Sequence, residues 1–398
     1  MAGRRTKILA ASASATVLAS IALAGAALAS ASPGAASHPA AHFRDRVILN
    51  GAKLHHTFVP AGSKTRKTEA LSSPDDITIL DGHLFNNFQN GVGPQGQPSS
   101  DGNTDSTIVE YTTSGRVIHQ WDIKGKCDGV TADPARGFVI ATVNEDANSS
   151  IYTITPGGPV VHYKYNKPLP HFGGTDAISI YHGLVLVSAS APGTTGKAAP
   201  QPTYPAVYAV FFNRHTRIAT ALPLFYDEAT ATVANVGASA GKKVRLALTD
   251  PDSNEIVPNS APRFRGDFML TSQGDEEQIF VQPRRHGGFG LAVLKLTHSV
   301  DDTAWAVSRD GRLYGSNTAG DTVDVITGPF RPGEIFAAVT PCDENSAPAT
   351  CPAPGFPPNY LGTLNPWTGV LTAVPLSGPT FGPQGMIFVS PGRSAHHR

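Results

Sequence analysis

Three short stretches concentrate oxygen donors beyond what a turn needs. Asn144-Glu145-Asp146 opens "NEDANS", Asp250 and Asp252 stand in "TDPDSN", and Asp275-Glu276-Glu277 follow "SQG". Asn90 closes "NNFQN", and Asp128 and Asp176 each stand at the head of an apolar run. Mixed carboxylates and amides suit a hard cation such as calcium, which takes about 6–8 oxygen ligands. Asp128, Asn144, Asp176, Asp250 and Asp275 are the candidate ligands for such an ion. Glu145, Asp146 and Asn90 join them as candidates to line a binding channel. The competing explanation is local. Asp and Asn favour tight turns because their side chains bond nearby backbone N–H groups. EF-hand spacing is absent, since "DPDSNEIVP" lacks the central Gly and the terminal Glu.

Other chemistries find less support. His171 in "PLPHFGGTDA" lies just ahead of Asp176 and is the candidate for a general base. The chain has no G-x-S-x-G, and Ser188 and Ser190 in "VSASA" have no adjacent partner. Cys127 precedes Asp128, whose charge raises a thiol pKa and argues against a reactive thiolate. Phosphate-binding loops are absent, because "GPQGQP" is broken by proline.

Whatever positions these residues is built of strands. "GFVIATVN" (137–144), "SIYTIT" (150–155) and "VVHYKY" (160–165) follow "DGVTADP" (128–134), each cut off by Gly, Pro, Asp or Asn. Four such strands in about 40 residues make one propeller blade. The same grammar returns over 175–225, 244–296, 300–328 and 333–376. In 300–328 an Asp-Gly turn is expected to join the first two strands. The fold class expected is all-β: a single β-propeller of six blades, or seven if the uneven segments 223–262 and 329–380 hold one more. A pair of β-sandwiches would not need four-strand units at this spacing. "GPQG" occurs at 93–96 and again at 382–385, where it leads into "MIFVSP". The first blade (77–123) reads as short of an inner strand, and the C-terminal strand near residue 388 is expected to supply it. Closure of this kind removes exposed sheet edges. Loops at one end of the ring then converge on a central channel.

"DGVTADPARGFVIATVNEDANSSIYTI" (128–154) and "SVDDTAWAVSRDGRLYGSNTAGDTVDVI" (299–326) resemble blades of the NHL and SMP-30/gluconolactonase-like six-bladed propellers. The resemblance covers residues 75–391 as a blade pattern and extends to secreted bacterial propellers of unknown function. It implies architecture first. For activity it implies a divalent-metal-dependent hydrolase or lactonase, or a lyase of the streptogramin-lyase type, with the ion in the central channel polarising a carbonyl. No complete set of that family's metal ligands matches here.

The ends and the composition set the location. Arg4, Arg5 and Lys7 precede an Ala-rich apolar stretch ending at Ala27-Leu28-Ala29, which reads as a signal peptide over 1–29, by a general or a twin-arginine route. Removing it takes three basic residues and no acidic one, so 31 Lys and Arg become 28 against 31 Asp and Glu, a net charge of −3. That balance argues against nucleic acid as a partner. No later run reaches the ~18 apolar residues of a membrane span. Residues 30–74 read as a flexible Ala- and Pro-rich lead-in, 75–391 as the propeller and 392–398 as a tail. Cys342 and Cys351 are expected to pair, closing a short loop that contributes about 2.5–3 kcal/mol in the chain-entropy model. The reading is a secreted, monomeric propeller that binds a small molecule, glycan or protein at its loop face. The metal-dependent enzyme is the alternative.

Overall fold

The computed structural model describes residues 42–170, 174–190, 204–341 and 359–392. The signal segment, His171, Cys342, Cys351 and the tail from 393 lie outside them. Within them the chain is a β-propeller, and strand pairing defines six four-stranded antiparallel groups. Blade 1 holds Pro74–Leu80, His83–Phe88, Asp105–Thr112 and Val117–Lys124 from the axis outward. Blade 2 holds Cys127–Asp133, Phe138–Val143, Ser150–Ile154 and Val160–Tyr165, and blade 3 holds Ile178–Tyr181, Leu184–Ser188, Pro205–Asn213 and Ile218–Tyr226. A short parallel pairing of Lys164 and Tyr165 with Ile218 and Ala219 ties these two at their outer edges. Blade 4 holds Pro251–Ile256, Phe268–Ser272, Glu277–Pro283 and Phe289–Lys295, extended by Thr230–Val233 and Lys243–Arg245.

Local sequence explains the tight hairpins. Asp81-Gly82 and His182-Gly183 both take positive φ, at 50° and 82° and at 49° and 80°. They join strands paired at Leu80–His83 and Tyr181–Leu184. Two residues with positive φ give the type I′ turn whose twist matches that of the flanking strands.

Blades 5 and 6 exchange strands. Blade 5 holds Val300–Trp305, Ile335–Val339, Tyr360–Leu364 and Leu371–Ala373. Blade 6 holds Pro383–Val389, Arg312–Asn317, Thr322–Thr327 and Phe43–Asn50. The chain therefore leaves blade 5 after one strand, builds the middle of blade 6, returns to finish blade 5 and then supplies the inner strand of blade 6. This corrects the reading of 300–328 as one hairpin-linked unit. Val300–Trp305 pairs with Ile335–Val339, not with Arg312–Asn317. Asp310-Gly311 is not a two-residue hairpin turn, and Gly311 is pressed beneath the ring of Phe388.

Closure also differs from expectation in its partner. Both ends of the described chain do meet in one sheet, but it is blade 6, where Pro383–Val389 pairs with Arg312–Asn317 and Phe43–Asn50 pairs with Thr322–Thr327. Blade 1 already has its inner strand in Pro74–Leu80. The strands thus begin well before residue 75: Phe43–Asn50, His55–Phe58 and Lys67–Ala70 all lie in the segment expected to be a flexible lead-in.

Each seam between neighbouring blades carries its own apolar cluster. Phe85 and Trp121 meet Val139 and Ile154 between blades 1 and 2, and Ile140 and Tyr163 meet Val185 and Tyr208 between 2 and 3. Leu186 and Phe225 meet Phe268 and Val293 between 3 and 4. Met269 and Phe280 meet Trp305 and Ile335 between 4 and 5. Phe336 meets Leu313 and Ile326 between 5 and 6, and Tyr314 and Val323 meet Phe88 and Tyr111 between 6 and 1. Among the described residues, these six clusters link the six strand groups in turn. Trp121 and Trp305 serve this packing, whereas Trp367 is exposed.

One residue pair within blade 6 opposes its own burial. Asp45 on the N-terminal strand is 6% exposed beside Asp324, which is fully buried. Both Asp45 carboxyl oxygens and Oδ1 of Asp324 lack hydrogen-bond partners. Burial, reinforced by the Asp324 charge, pushes Asp45 up to about 7. A carboxyl raised in the folded state binds its proton more tightly there, so its stability contribution is full below pH 4 and is lost as pH rises through 7. Asp45→Asn should therefore flatten the fall in stability between pH 4 and 8 and raise stability at pH 8 by up to about 4 kcal/mol. Urea unfolding of both proteins across that range checks it; parallel pH curves would refute it.

Candidate functional site

The six inner strands enclose a cavity of about 690 Å³. Their register follows from contacts between neighbours. Gly129 sits against the carbonyl of Asp176, and Gly385 against that of Asp75. The Ala177 N–H donates to the Asp252 carbonyl at 3.4 Å. Oδ2 of Asp76 accepts from the Val130 N–H at 2.6 Å, and Oδ2 of Asp302 accepts from the Met386 N–H at 2.6 Å, each reaching the next blade. Val130 and Met386 lie two residues past Asp128 and Gln384. These relations place Asp75, Asp128, Asp176, Asp252, Asp301 and Gln384 at one level, one residue per blade, and all six line the cavity. Gly129 and Gly385 are the small residues that let the strands approach this closely, since a Cβ on either would strike its neighbour's backbone.

Second-strand side chains lace the ring together beneath. Asn87 Nδ2 donates to the carbonyls of Cys127 and Asp128 at 2.5 and 3.1 Å. Thr142 Oγ1 donates to the Asp176 carbonyl at 2.6 Å, and Ser188 Oγ to the Asp252 carbonyl at 3.1 Å. Each of these residues sits on one blade and holds the inner strand of the next.

The lining is acidic. One level below the ring stand Asp76 and Asp302, with Glu255 further along its strand, and at the mouth stand Glu145, Asp146 and Asp250. With the five ring aspartates this makes eleven carboxyl groups facing Lys126, the one basic side chain of the lining. Lys126 Nζ lies 3.0 Å from Asp128 Oδ1 and also pairs with Glu145. Gln89 Nε2 donates to Asp75 Oδ2 at 3.0 Å and to Asp128 Oδ1 at 2.9 Å. Burial pulls Lys126 down, but the charges of Asp128, Glu145 and Asp75 outweigh it and keep the ammonium protonated. It is a fixed cation, unsuited to act as an amine nucleophile at neutral pH.

Burial drives the carboxyls the other way. It lifts Asp75 to about 7 and Asp128 to about 6, against the pull of Lys126 in both. It lifts Glu145 to about 8, with the Asp128 charge adding to it. Asp302 rises to about 6, held back by the Met386 and Thr303 N–H groups. Asp76, Asp176, Asp252 and Glu255 all lie well above the usual carboxylate range, for burial first and neighbouring carboxylates second. Asp176 and Asp252 share a hydrogen bond. Several of these groups therefore hold protons near neutral pH, which limits the repulsion in the channel.

Of the residues singled out from sequence, Asp128, Glu145, Asp146, Asp176, Asp250 and Asp252 line the cavity. Asn90, Asn144 and Asp275 do not, and each instead holds backbone. Asn90 takes φ 54° and binds Ser72 N, the Asp105 carbonyl and Thr107 Oγ1. Asn144 takes φ 66°, accepts from Lys126 N–H and donates to the Asn148 carbonyl. Asp275 Oδ2 accepts from Thr249 N–H at 2.7 Å and from Ser272 Oγ at 2.8 Å. The five proposed metal ligands are thus not gathered about one point. Among the described residues no group of three or more His, Cys, Asp or Glu is arranged to hold a metal ion. Cys127 is buried and unpaired, and burial pushes its thiol up, as the adjacent carboxylates do. The residues that sequence reasoning missed are Asp75, Asp76, Lys126, Glu255, Asp301 and Asp302.

No protein-family model matches the chain, and no curated protein matches it. Solved structures similar to it include a periplasmic gluconolactonase from Pseudomonas aeruginosa, 12% identical over 87% of this chain and 99% of that one, with a TM-score of 0.42. A protein from Lactobacillus plantarum is 9% identical over 88% and 100%, with a TM-score of 0.41. A putative 6-phosphogluconolactonase from Bacteroides fragilis is 11% identical over 90% and 100%, with a TM-score of 0.40. Likeness of this degree says nothing about activity, and the ring itself is read from the strand pairing and the six seams. Among the described residues no helix is long and apolar enough to cross a membrane.

Lys126 is the counter-charge on which the acidic mouth depends. Lys126→Met should cost about 3–5 kcal/mol at pH 8, the usual penalty for leaving buried charge uncompensated. The raised carboxyls lose stability as pH climbs through 6 to 8, so the loss should shrink at pH 5, where they are protonated. Denaturant unfolding at the two pH values checks it; an equal loss at both would show that Lys126 acts by packing alone.

Proposed function

We propose that the chain is an exported binding protein whose central channel, not its outer loop face, takes up a small ligand. The observation that carries this is the ring at one register: five aspartates and a glutamine, one from each blade, opening into a cavity of small-molecule size. A closed ring of inner strands holds these side chains rigidly, which lowers the cost of ordering them around a ligand. The low-dielectric walls focus the negative potential along the axis. Export is supported by the basic and Ala-rich N-terminal stretch ending in Ala27-Leu28-Ala29.

A ligand at about 100 times its Kd adds about 2.7 kcal/mol to stability, a shift of several degrees in melting temperature. A small-molecule library screened by thermal shift should yield compounds that stabilise the natural protein and not Asp176→Asn. Compounds whose effect is untouched by that substitution would place the binding surface elsewhere and overturn the channel reading.

One observation favours a second reading, acid–base hydrolysis of a lactone or related ester. The hydrogen-bonded Asp176–Asp252 pair can keep one carboxyl neutral as acid beside one charged as base. Turnover of a lactone panel, lost by at least 100-fold in Asp176→Asn, would support it; equal rates in the two proteins would remove it.

A further inference from the structure

We infer that the ligand of the channel is a linear organic polycation carrying several N–H donors, of the polyamine class. The inference rests on the reading of the channel as the binding site and names its chemistry. Three observations lead to it.

The first is the spread of the charge. Eleven carboxyl groups against one ammonium, even with several protonated near neutral pH, offer a surplus of oxygen acceptors and favour a cation over an anion. Yet among the described residues no three of them converge as the ligands of a metal ion must. Charge distributed along a channel matches charge distributed along a chain. The second is the set of unsatisfied acceptors. Ser253 Oγ, Asn254 Oδ1 and Asp128 Oδ2 have no hydrogen-bond partner, although their residues are only 9, 3 and 4% exposed and all line the cavity. Ser253 is not acidic, so its unpartnered hydroxyl points to a ligand independently of the charge. The three oxygens come from blades 2 and 4, so a ligand meeting them bridges past blade 3. A primary ammonium brings three N–H donors to such a site. The third is the absence of aromatic side chains from the lining. Quaternary ammonium groups, which have no N–H, are recognised by aromatic cages, and the lining offers none. Lys126 occupies the side of the mouth bounded by Asp128 and Glu145. The ligand's remaining ammonium groups are therefore directed away from that ion pair, toward Asp252 and Glu255 of blade 4 and Asp301 of blade 5.

Isothermal titration of the full mature chain with spermidine tests the inference, with tetramethylammonium, calcium and sorbitol as comparison probes. Spermidine should bind at 1:1, more than tenfold tighter than tetramethylammonium or calcium, and weaken as salt rises from 50 to 500 mM. Asp252→Asn should weaken it at least tenfold and Ser253→Ala severalfold, with both variants folded by circular dichroism. Equal binding of calcium or tetramethylammonium, or spermidine affinity unchanged in both variants, would mean general charge attraction and overturn the inference. Binding of sorbitol but not spermidine, sensitive to Asp252→Asn, would overturn the polycation class and leave the channel standing as the site. No binding by any probe in either protein would overturn the inference, while the library screen against Asp176→Asn decides separately whether the channel binds at all.

Discussion

Like charges at close quarters are the constraint that shapes this molecule. Closing six inner strands around one axis brings their equivalent positions together, and five of those positions are aspartate. The ring holds because the repulsion is met in three ways. Asp76 and Asp302 spend their charge on the backbone N–H groups of Val130 and Met386 in the next blade, which turns a liability into a strut. Lys126 answers the charge at the mouth. Burial keeps protons on several of the rest, so that the formal charge is never fully expressed near neutral pH. Outside the channel the apolar seams supply the attraction that these arrangements protect.

The sixth position breaks the symmetry. Gln384 stands where the other blades have aspartate, and its side-chain oxygen accepts from Thr318. This neutral point lies on blade 6, across the axis from the blade 3 side of the ring, so the negative potential is weighted away from the strand that closes the ring. Such asymmetry gives a channel built from similar units a distinguishable side, which a repeat of identical blades could not offer.

The general architecture was legible in the sequence because each blade announces itself locally. Alternating apolar runs cut by Gly, Pro, Asp and Asn fix strands and turns one hairpin at a time, as at Asp81-Gly82 and His182-Gly183. Half of the site was legible for the same reason: Asp128 and Asp176 head their strands in plain view. The companion signal was present in "PDDIT", "PDSNE" and "VDDTA", each with an Asp just after a turn and before a strand. Aligning these with "CDGVT" and "TDAIS" would have found Asp75, Asp252 and Asp301 as one set. Asn90, Asn144 and Asp275 could not be told apart from them by type, since an Asx side chain that holds backbone looks the same in sequence as one that faces a channel. Strand exchange was illegible for a related reason. The link from Trp305 to Arg312 has turn residues whether it folds back on its own strand or crosses to the neighbour.

That exchange has a consequence for how the ring is assembled and how it can change. Blade 5 needs residues on both sides of the middle of blade 6, and blade 6 needs the last described strand together with the first. Neither can be finished alone, so the stretch from 300 to 389 behaves as a knit pair. Lineages of repeat proteins gain and lose units by duplication and deletion. Here no cut at a blade boundary would excise one of these two without unravelling the other, which locks the number of repeats on this side of the ring.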